Sequence, residues 1–256
     1  MNIKSYTPEQ LDIIRAGGKI LAEALQVVRS YINPGVSTLE LDKIAEDFVR
    51  GKGAEPSFKG YNGYAFTICA SVNEESIHGI PKADKILRNG DIVSVDIGVR
   101  YKGFCTDAAR TWPVGEVSEE ARKLIEITEK SFWEGIRGLR AMHKVSSIGE
   151  RVENFVRANS SFSIIENYFG HGVGEKVHEN PLIPNYKPMS KALRDITRHR
   201  LPVGSVIAIE PMLNAGVKEV ETAQDGWTAV TVDGKLAAHY ENTVIVLENG
   251  VEVVTI

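Results

Sequence analysis

The chain has 256 residues, of which 43% are hydrophobic and 25% charged, and its formal net charge is −4. This composition is that of an ordinary soluble globular protein, and the acidic balance argues against nucleic acid as a substrate. No apolar stretch approaches the ~18–20 residues of a membrane-spanning helix, and the first ten residues contain no signal-type apolar run. We therefore expect a cytoplasmic protein without a membrane segment, in which Cys69 and Cys105 are reduced thiols.

Two helices are predicted at the start of the chain. The first begins at Thr7-Pro8-Glu9-Gln10, where a capping residue precedes proline and a glutamine follows three positions later. Apolar residues then recur at helical spacing until Asn33-Pro34-Gly35 ends the helix. Ser37 and Glu40 give the same capping signal for a second helix, which ends near Gly51.

A β-hairpin is predicted over residues 91–111. Two alternating segments flank Lys102-Gly103, which form a plausible two-residue turn. That turn pairs Gly98 with Asp107, and Asp96 lies on the same face as Gly98 because side chains alternate along a strand. The carboxylates of Asp96 and Asp107 are then diagonal neighbours within ~7–8 Å.

Two carboxylates on an interior hairpin repel each other and lose hydration unless something positive lies between them. A shared proton is one solution, and a pair of arginines is another, since Arg100 and Arg110 lie near the strand ends. One or two divalent cations are the third. The hairpin alone leaves all three open.

The second half of the chain repeats the order of elements. A helix opens at Ser118, and Ser147 with Glu150 caps another that runs to about Asn159. A strand enters the glycine-rich stretch at 170–174, and a long proline-containing connection follows. Later strands are predicted at 206–213, 227–232, 237–247 and 251–256, the last two joined by Asn249-Gly250.

The matching order indicates duplication, and the segments EDFVR at 46–50 and ENFVR at 153–157 support it. We expect a single catalytic domain covering residues 1–256, with internal halves of about 1–115 and 116–256. Such halves would meet at a cleft, where ligands tend to bind.

The second half offers carboxylates of its own. Glu210 in VIAIEPML and Glu241 in LAAHYENTVIVL are charges within apolar runs, which a solvated surface explains poorly. A single strand carboxylate is more often paired with an arginine or lysine. Together with the two hairpin carboxylates, however, they carry a charge that two divalent cations would match. His171, between glycines, is the natural nitrogen ligand, and such a set suits Mn, Fe, Co or Zn.

Other histidines have less definite contexts. His78 lies in a Gly-Pro turn and His178 just beyond the glycine-rich stretch, so each is either a hydrogen-bonded loop histidine or a donor near a substrate. His239 lies two residues before Glu241, on the same strand face, and could orient a ligand. His143 and His199 read as surface residues in helix-like segments.

An ordered set of short motifs resembles the type I, bacterial-style methionine aminopeptidases over nearly the whole chain. The motifs are HGIP at 78–81, SVDIG at 94–98, CTDAART at 105–111, GHGVG at 170–174, HENP at 178–181, AIEPM at 208–212, DGW at 225–227 and YENT at 240–243. The resemblance implies an α+β pita-bread fold, an antiparallel sheet in two pseudo-symmetric halves with helices on the outer face. It also implies removal of the initiator methionine from nascent polypeptides, with preference for a small second residue.

The resemblance further implies two divalent metal ions per chain, drawn from Co, Mn, Fe, Zn or Ni. Asp107, His171, Glu210 and Glu241 would hold one ion, and Asp96, Asp107 and Glu241 the other. A hydroxide or water between the ions would attack the scissile carbonyl.

Several roles are likewise implied by the resemblance. Glu210 would be the general base, His178 would stabilise the oxyanion, and His78 would contact the scissile nitrogen. The methionine pocket would be lined by Tyr61, Tyr64, Cys69 and Trp227, with the cysteine as a wall rather than a nucleophile. We expect a monomer that meets nascent N-termini at the ribosome.

Three features depart from the family pattern. Phe58 stands where relatives often have cysteine, Val177 replaces a common aromatic, and the segment 180–202 is longer and carries a charged run. The nearest rival is a pita-bread enzyme that cleaves X-Pro bonds, although such enzymes normally carry a separate N-terminal domain. A non-catalytic binding protein of this fold would have lost ligands. A dinucleotide-dependent enzyme would need a glycine-rich turn that opens a helix.

Overall fold

The computed structural model describes residues 2–256, and its first two helices begin where the sequence predicts. Helix α1 spans Pro8–Tyr31 and α2 spans Thr38–Gly51. Thr7 with Gln10 and Ser37 with Glu40 both form complete capping boxes, which confirms the two predicted helix starts.

Four of the five strands of the first half form one antiparallel sheet around a long hairpin. The five strands are β1 (Glu55–Pro56), β2 (Ile68–Val72), β3 (Glu75–Ile77), β4 (Ile92–Tyr101) and β5 (Phe104–Pro113). Strand β4 pairs with β1, β2 and β5, whereas β3 belongs to another sheet. The β4–β5 register pairs Gly98 with Asp107 and Tyr101 with Phe104, which confirms the predicted hairpin.

Helices α3 (Glu119–Ile136) and α4 (Ser146–Asn159) open the second half. Ser118 caps α3 as predicted, but the predicted cap of α4 by Ser147 and Glu150 is wrong. The helix begins two residues earlier than that cap implies, with Val145 as its N-cap, and the Ser147 hydroxyl donates to the Lys144 carbonyl at 2.7 Å instead of accepting from the helix. A bridge between Lys144 and Arg200 fixes the backbone there, which a local pattern does not reveal.

The second half contains more and shorter strands than predicted. They are β6 (Ser163–Ile164), β7 (Gly170–Gly172), β8 (Glu179–Ile183), β9 (Val206–Ile209), β10 (Met212–Asn214), β11 (Val220–Thr222), β12 (Ala229–Thr231), β13 (Ala237–His239), β14 (Asn242–Leu247) and β15 (Gly250–Val253). The predicted strands 206–213 and 237–247 are therefore each broken into two. The connection after β8 also contains helix α5 (Lys191–Thr197), which is capped by Ser190. This helix was not predicted from the sequence. The turn of the last hairpin is Glu248-Asn249, one residue earlier than predicted.

These strands form three further antiparallel sheets. Five strands follow the order β15-β14-β9-β7-β8, and two three-stranded sheets follow β13-β10-β6 and β11-β12-β3. The breaks after β9 and after β13 thus carry the chain from one sheet into the next. Together with the helices, this architecture is α+β, as predicted.

The two halves are joined edge to edge by β5 and the segment from β13 to β14. Ala109 and Glu241 exchange two backbone hydrogen bonds, of 3.3 and 2.9 Å. On one side of this pair, the Thr243 hydroxyl donates to the Asp107 carbonyl and accepts from its N–H. On the other side, Thr111 makes the same two bonds with His239. The seam therefore has a local two-fold character.

Helices cover the outer face of each half. Leu21, Leu25 and Leu41 from α1 and α2 are buried against Val93 and Ile97 of β4. A second cluster joins α3 and α4 to strands of the second half through residues such as Leu124, Phe132, Ile148, Ile207 and Val244. The opposite face of the joined sheets is left for the polar residues described below. Within residues 2–256, no helix combines the length and apolar character that crossing a membrane requires.

Candidate active site

A cavity of about 240 Å³ brings together every residue that the sequence predicts for the site. It is lined by Phe58, Tyr61, Asn62, Tyr64, Cys69, His78, Asp96, Asp107, His171, His178, Glu210, Trp227 and Glu241. Both halves contribute, so the cleft lies at the seam.

The first two carboxylates are placed by the β4–β5 hairpin. Asp96 is paired with Ala109, and Gly98 with Asp107, so the two aspartates are diagonal neighbours on the cavity face. Gly98 has to be glycine, because a Cβ there would lie 2.1 Å from Ser57 Oγ and 2.5 Å from the Phe58 ring. The absence of a side chain lets Phe58 reach the cavity beside Asp107.

The other two carboxylates lie at the breaks between strands. Ile209 pairs with Asn242, and Met212 pairs with His239, so the register continues across the break and sets Glu210 opposite Glu241. Pro211 follows Glu210 and has no N–H to donate, which helps to interrupt the ladder. The two glutamates therefore face each other across an opened antiparallel ribbon.

His171 points a free ring nitrogen at these carboxylates. Its Nδ1 lies 3.0 Å from the Gly172 carbonyl, and because a carbonyl only accepts, Nδ1 carries the proton. Nε2 is then unprotonated, at 3.5 Å from Glu210 Oε1 and 3.9 Å from Asp107 Oδ2. A Cβ at Gly172 would lie 2.1 Å from the Asn180 carbonyl, so the glycine permits this close strand packing.

Burial strongly disfavours ionisation of the clustered carboxyls. Desolvation raises the pKa of Asp96 from 3.8 to about 7. It also raises the pKa of Asp107, Glu210 and Glu241 well above their ordinary values, and mutual repulsion adds to the rise. Without a positive partner the cluster would have to hold protons.

Arginine does not supply that positive charge. Arg110 donates to the backbone carbonyls of Glu241 and Thr255 and to the side-chain oxygen of Asn242. Arg100 donates to backbone carbonyls at the far end of the hairpin. The arginine pairing considered from the sequence is therefore wrong, which leaves shared protons or cations.

The donor set fits divalent cations. Oδ1 of Asp96, Oδ1 of Asp107 and Oε1 of Glu241 are buried without a hydrogen-bond partner. The donor atoms form two groups, and within each group they all lie within 4.8 Å of one another. The groups are Asp107–His171–Glu241 and Asp96–His239–Glu241. Carboxylate oxygens combined with imidazole nitrogens are the ligands that first-row divalent metals prefer.

Two further imidazoles flank the carboxylates. His178 lies at the exposed mouth, where its Nδ1 is 2.8 Å from the Tyr61 hydroxyl and its ring centroid 4.3 Å from that of His171. His78 has a left-handed backbone (φ 58°) and packs edge-on against Tyr168. Burial lowers the pKa of His78 to about 4, so near neutral pH its ring is uncharged and offers one N–H donor and one acceptor nitrogen.

An apolar pocket adjoins the acidic cluster. Tyr64 is buried, its hydroxyl donates to the Ile68 carbonyl at 2.8 Å, and its ring lies 5.1 Å from that of Trp227. Cys69 is paired directly with Asp96, so the pocket wall and the carboxylate are neighbours. Burial raises the pKa of the Cys69 thiol well above its usual value, which disfavours the thiolate and suits a wall.

The sequence reading underestimated three residues. Asn62 lines the cavity from a loop turn with φ 49°, and Tyr168 supports His78; neither lies in a periodic pattern that would single it out. His239 was predicted to share a face with Glu241, but its approach to Glu210 Oε2 at 3.7 Å depends on tertiary structure.

A buried carboxylate–imidazole cluster beside an apolar pocket is the kind of site that metal-dependent hydrolases use. The model of metallopeptidase family M24 matches residues 12–248, and the chain belongs to that family.

Relatives and a solved structure agree with this assignment. The chain is 46% identical to methionine aminopeptidase 1 of Bacillus subtilis, over 97% of each chain. It is 47% identical to the methionine aminopeptidase of Clostridium perfringens, over 96% of each. The crystal structure of methionine aminopeptidase from Thermotoga maritima superposes with a TM-score of 0.94, at 38% identity and 99% coverage of both chains. The predicted pita-bread fold is thereby confirmed.

Proposed function

We propose that the chain is a metal-dependent aminopeptidase that removes the N-terminal methionine from proteins and peptides, with preference for a small second residue. The observation that carries the proposal is the direct contact between an apolar pocket and an acidic cluster. An apolar aromatic pocket opens directly onto a cluster of buried carboxyls, since Cys69 of the pocket is paired with Asp96 of the cluster.

Two divalent cations would be held by this chain's own residues. Asp107, His171, Glu210 and Glu241 would be the ligands of one, and Asp96, Asp107 and Glu241 would be those of the other. When bound, such cations lower the pKa of a water molecule and polarise a carbonyl group. The metal is one of Co, Mn, Fe, Zn or Ni, and availability decides among them.

The remaining chemistry belongs to protein side chains. Glu210 accepts a proton from the attacking water and passes it to the leaving amine, and burial beside other carboxyls gives it a high proton affinity. His178 donates to the oxygen of the scissile carbonyl, and its contact with Tyr61 at 2.8 Å fixes the ring. His78 contacts the scissile nitrogen.

Substrate selection follows from the pocket. Tyr61, Tyr64, Cys69 and Trp227 receive the methionine side chain, whose sulfur makes favourable contacts with aromatic rings. The cavity of about 240 Å³ is below the ~300–1,000 Å³ of pockets for drug-sized ligands, so it suits a single residue. The substrate's free amino group would coordinate one of the cations, which would restrict cleavage to the N-terminus.

The setting of the reaction is also part of the proposal. The substrates are nascent polypeptide N-termini, met in the cytoplasm and at the ribosome by a monomeric enzyme. The whole of residues 1–256 acts as one catalytic domain, with halves of about 1–115 and 116–256 that share the cleft.

The test is a substrate panel on metal-stripped protein. Peptides of the forms Met-Ala-X, Met-Lys-X and X-Pro-Y are offered with each divalent ion restored in turn. Hydrolysis confined to Met-Ala-X is expected. Hydrolysis of X-Pro-Y instead would identify the X-Pro enzyme as the correct class, and no hydrolysis with any ion would contradict a peptidase.

A further inference from the structure

His239 is a buried imidazole for which the proposed reaction has no use. Its side chain is 2% exposed, and Nε2 has no hydrogen-bond partner. A buried polar atom without a partner is unfavourable, and a bound ion or water is one way in which native proteins satisfy such an atom. The position of Nε2 among the carboxylates decides between these.

The nitrogen lies close to two glutamates. It is 3.8 Å from Glu241 Oε2, a residue that both cation sites would share, and 3.7 Å from Glu210 Oε2, a residue that would serve only the site of His171. Direct hydrogen bonds would be ~2.7–3.2 Å, so His239 makes none with them. Two donors that each lie ~2.1 Å from one tetrahedral ion are roughly 3.4 Å apart. His171 Nε2 shows the same spacing to Glu210 and Asp107, at 3.5 and 3.9 Å.

The backbone holds His239 as it holds Asp107. Thr111 bonds both the N–H and the carbonyl of His239, and Thr243 bonds both groups of Asp107. Because the seam is centred on the pair Ala109 and Glu241, the two residues occupy equivalent places in the two halves. In the second half, His239 thus occupies the position that Asp107 occupies in the first half, and Asp107 is a proposed ligand of both cations.

We propose that His239 Nε2 is a ligand of the cation held by Asp96 and Glu241, so that each of the two ions has one imidazole. The three donor atoms lie within 4.8 Å of one another. This inference rests on the proposed function, because it takes the cluster to bind two cations. A nitrogen ligand makes the second site favour Co or Zn over Mg, which prefers oxygen ligands alone.

X-ray absorption spectroscopy of the cobalt-loaded protein tests the proposal. At two equivalents of Co²⁺, the wild-type protein is expected to show an average of one imidazole per cobalt, and His239→Gln about one half. Calorimetry should show the weaker of the two Co²⁺ sites lose at least ~10-fold in affinity in that variant. His199→Gln, at a half-exposed position two residues after α5, is the matched control and should give the wild-type result in both measurements.

The wild-type spectrum decides the question even if His239→Gln does not fold. An average of one half imidazole per cobalt, in a protein that binds two ions and releases methionine, would overturn only the role of His239. Binding of a single cobalt by such an active protein would also overturn it. Wild-type protein that binds no cobalt and releases no methionine would overturn the proposed function, and this inference with it.

Discussion

The two halves present their carboxylates from differently built ribbons. Asp96 and Asp107 lie within a hairpin of two ten-residue strands whose pairing is continuous from end to end. Glu210 and Glu241 lie at breaks, where the chain leaves one sheet and enters another. The pairing register continues across the breaks, but the ladder of backbone hydrogen bonds is interrupted there.

This difference in backbone pairing means that the aspartates are held more firmly than the glutamates. On the unbroken hairpin, ladder bonds hold the backbone on both sides of each aspartate. At the opened ribbon, the two oxygens of Glu210 face different imidazoles, with Oε1 towards His171 and Oε2 towards His239. In the proposed mechanism, the carboxylate that accepts and releases a proton is thus placed on the less regular ribbon.

The largest expected effect comes from Glu210→Gln in the opened ribbon. If Glu210 moves the proton, kcat for Met-Ala-X should fall by ~10²–10⁴-fold, because the amide has the same shape but no basic oxygen. Urea denaturation of the metal-free variant should show no loss of stability, since a buried carboxyl has been replaced by a neutral group. Glu219→Gln, on an exposed side chain, should be unchanged, and unchanged turnover in Glu210→Gln would remove it from the mechanism.

Arg110 tests the seam between the ribbons. Its guanidinium ties the hairpin to the Glu241 and Thr255 carbonyls and to Asn242, and it stacks on the Tyr240 ring at 4.3 Å. Arg110→Ala removes the Arg110 donor from the buried Thr255 carbonyl and one of two donors from the Glu241 carbonyl and from Asn242 Oδ1, so the free energy of unfolding should fall by about 3 kcal/mol in urea denaturation. Arg137→Ala at the exposed end of α3 should change it by less than about 0.5 kcal/mol. Equal effects would contradict a special role for the seam.

Metal removal should reveal opposing titrations in the cluster. The raised pKa of Asp96, about 7, means that its neutral form stabilises the metal-free fold at low pH and that this contribution is lost as pH rises from about 4 to 7. The lowered pKa of His171, about 3, means that its contribution is complete above pH 6.5 and lost as pH falls towards 3. Cation binding requires both groups without their protons.

The stabilisation by Co²⁺ should therefore grow with pH. At a free concentration of 100 times Kd it amounts to about 2.7 kcal/mol, and the difference in Tm between loaded and chelator-treated protein should increase from pH 5 to pH 8. Thermal unfolding at pH 5, 6.5 and 8 measures it. A difference that is constant over this range would contradict binding at the buried carboxyls.

Local patterns predicted the hairpin half better than the opened half. The caps at Thr7 and Ser37 involve residues three apart, and the shared face of Asp96 and Asp107 follows from strand alternation about a two-residue turn. Ser147 failed as a cap because the distant Arg200 pairs with Lys144 and fixes the backbone three residues before the serine. Local rules succeed where no distant contact intervenes.

No spacing of residues along the sequence predicted that the four carboxylates would lie close together. Asp107 and Glu241 are far apart in the chain and are brought together by the Ala109–Glu241 backbone pair, which no periodicity indicates. Family resemblance supplied that proximity in the sequence reading. The residue for which the resemblance implied no role, His239, is also the one whose contact with Glu210 went unpredicted.

The smallest effect is expected at the mouth, outside both ribbons, where Tyr61 holds His178. Tyr61→Phe removes one hydrogen bond of 2.8 Å at a partly exposed site, worth about 1 kcal/mol, so kcat/KM for Met-Ala-X should fall roughly five-fold. Because the ring that fills the pocket is kept, KM should change less than kcat. Tyr31→Phe, at the exposed end of α1, is the control. A five-fold rise in KM with unchanged kcat would mean that Tyr61 binds substrate and does not orient His178.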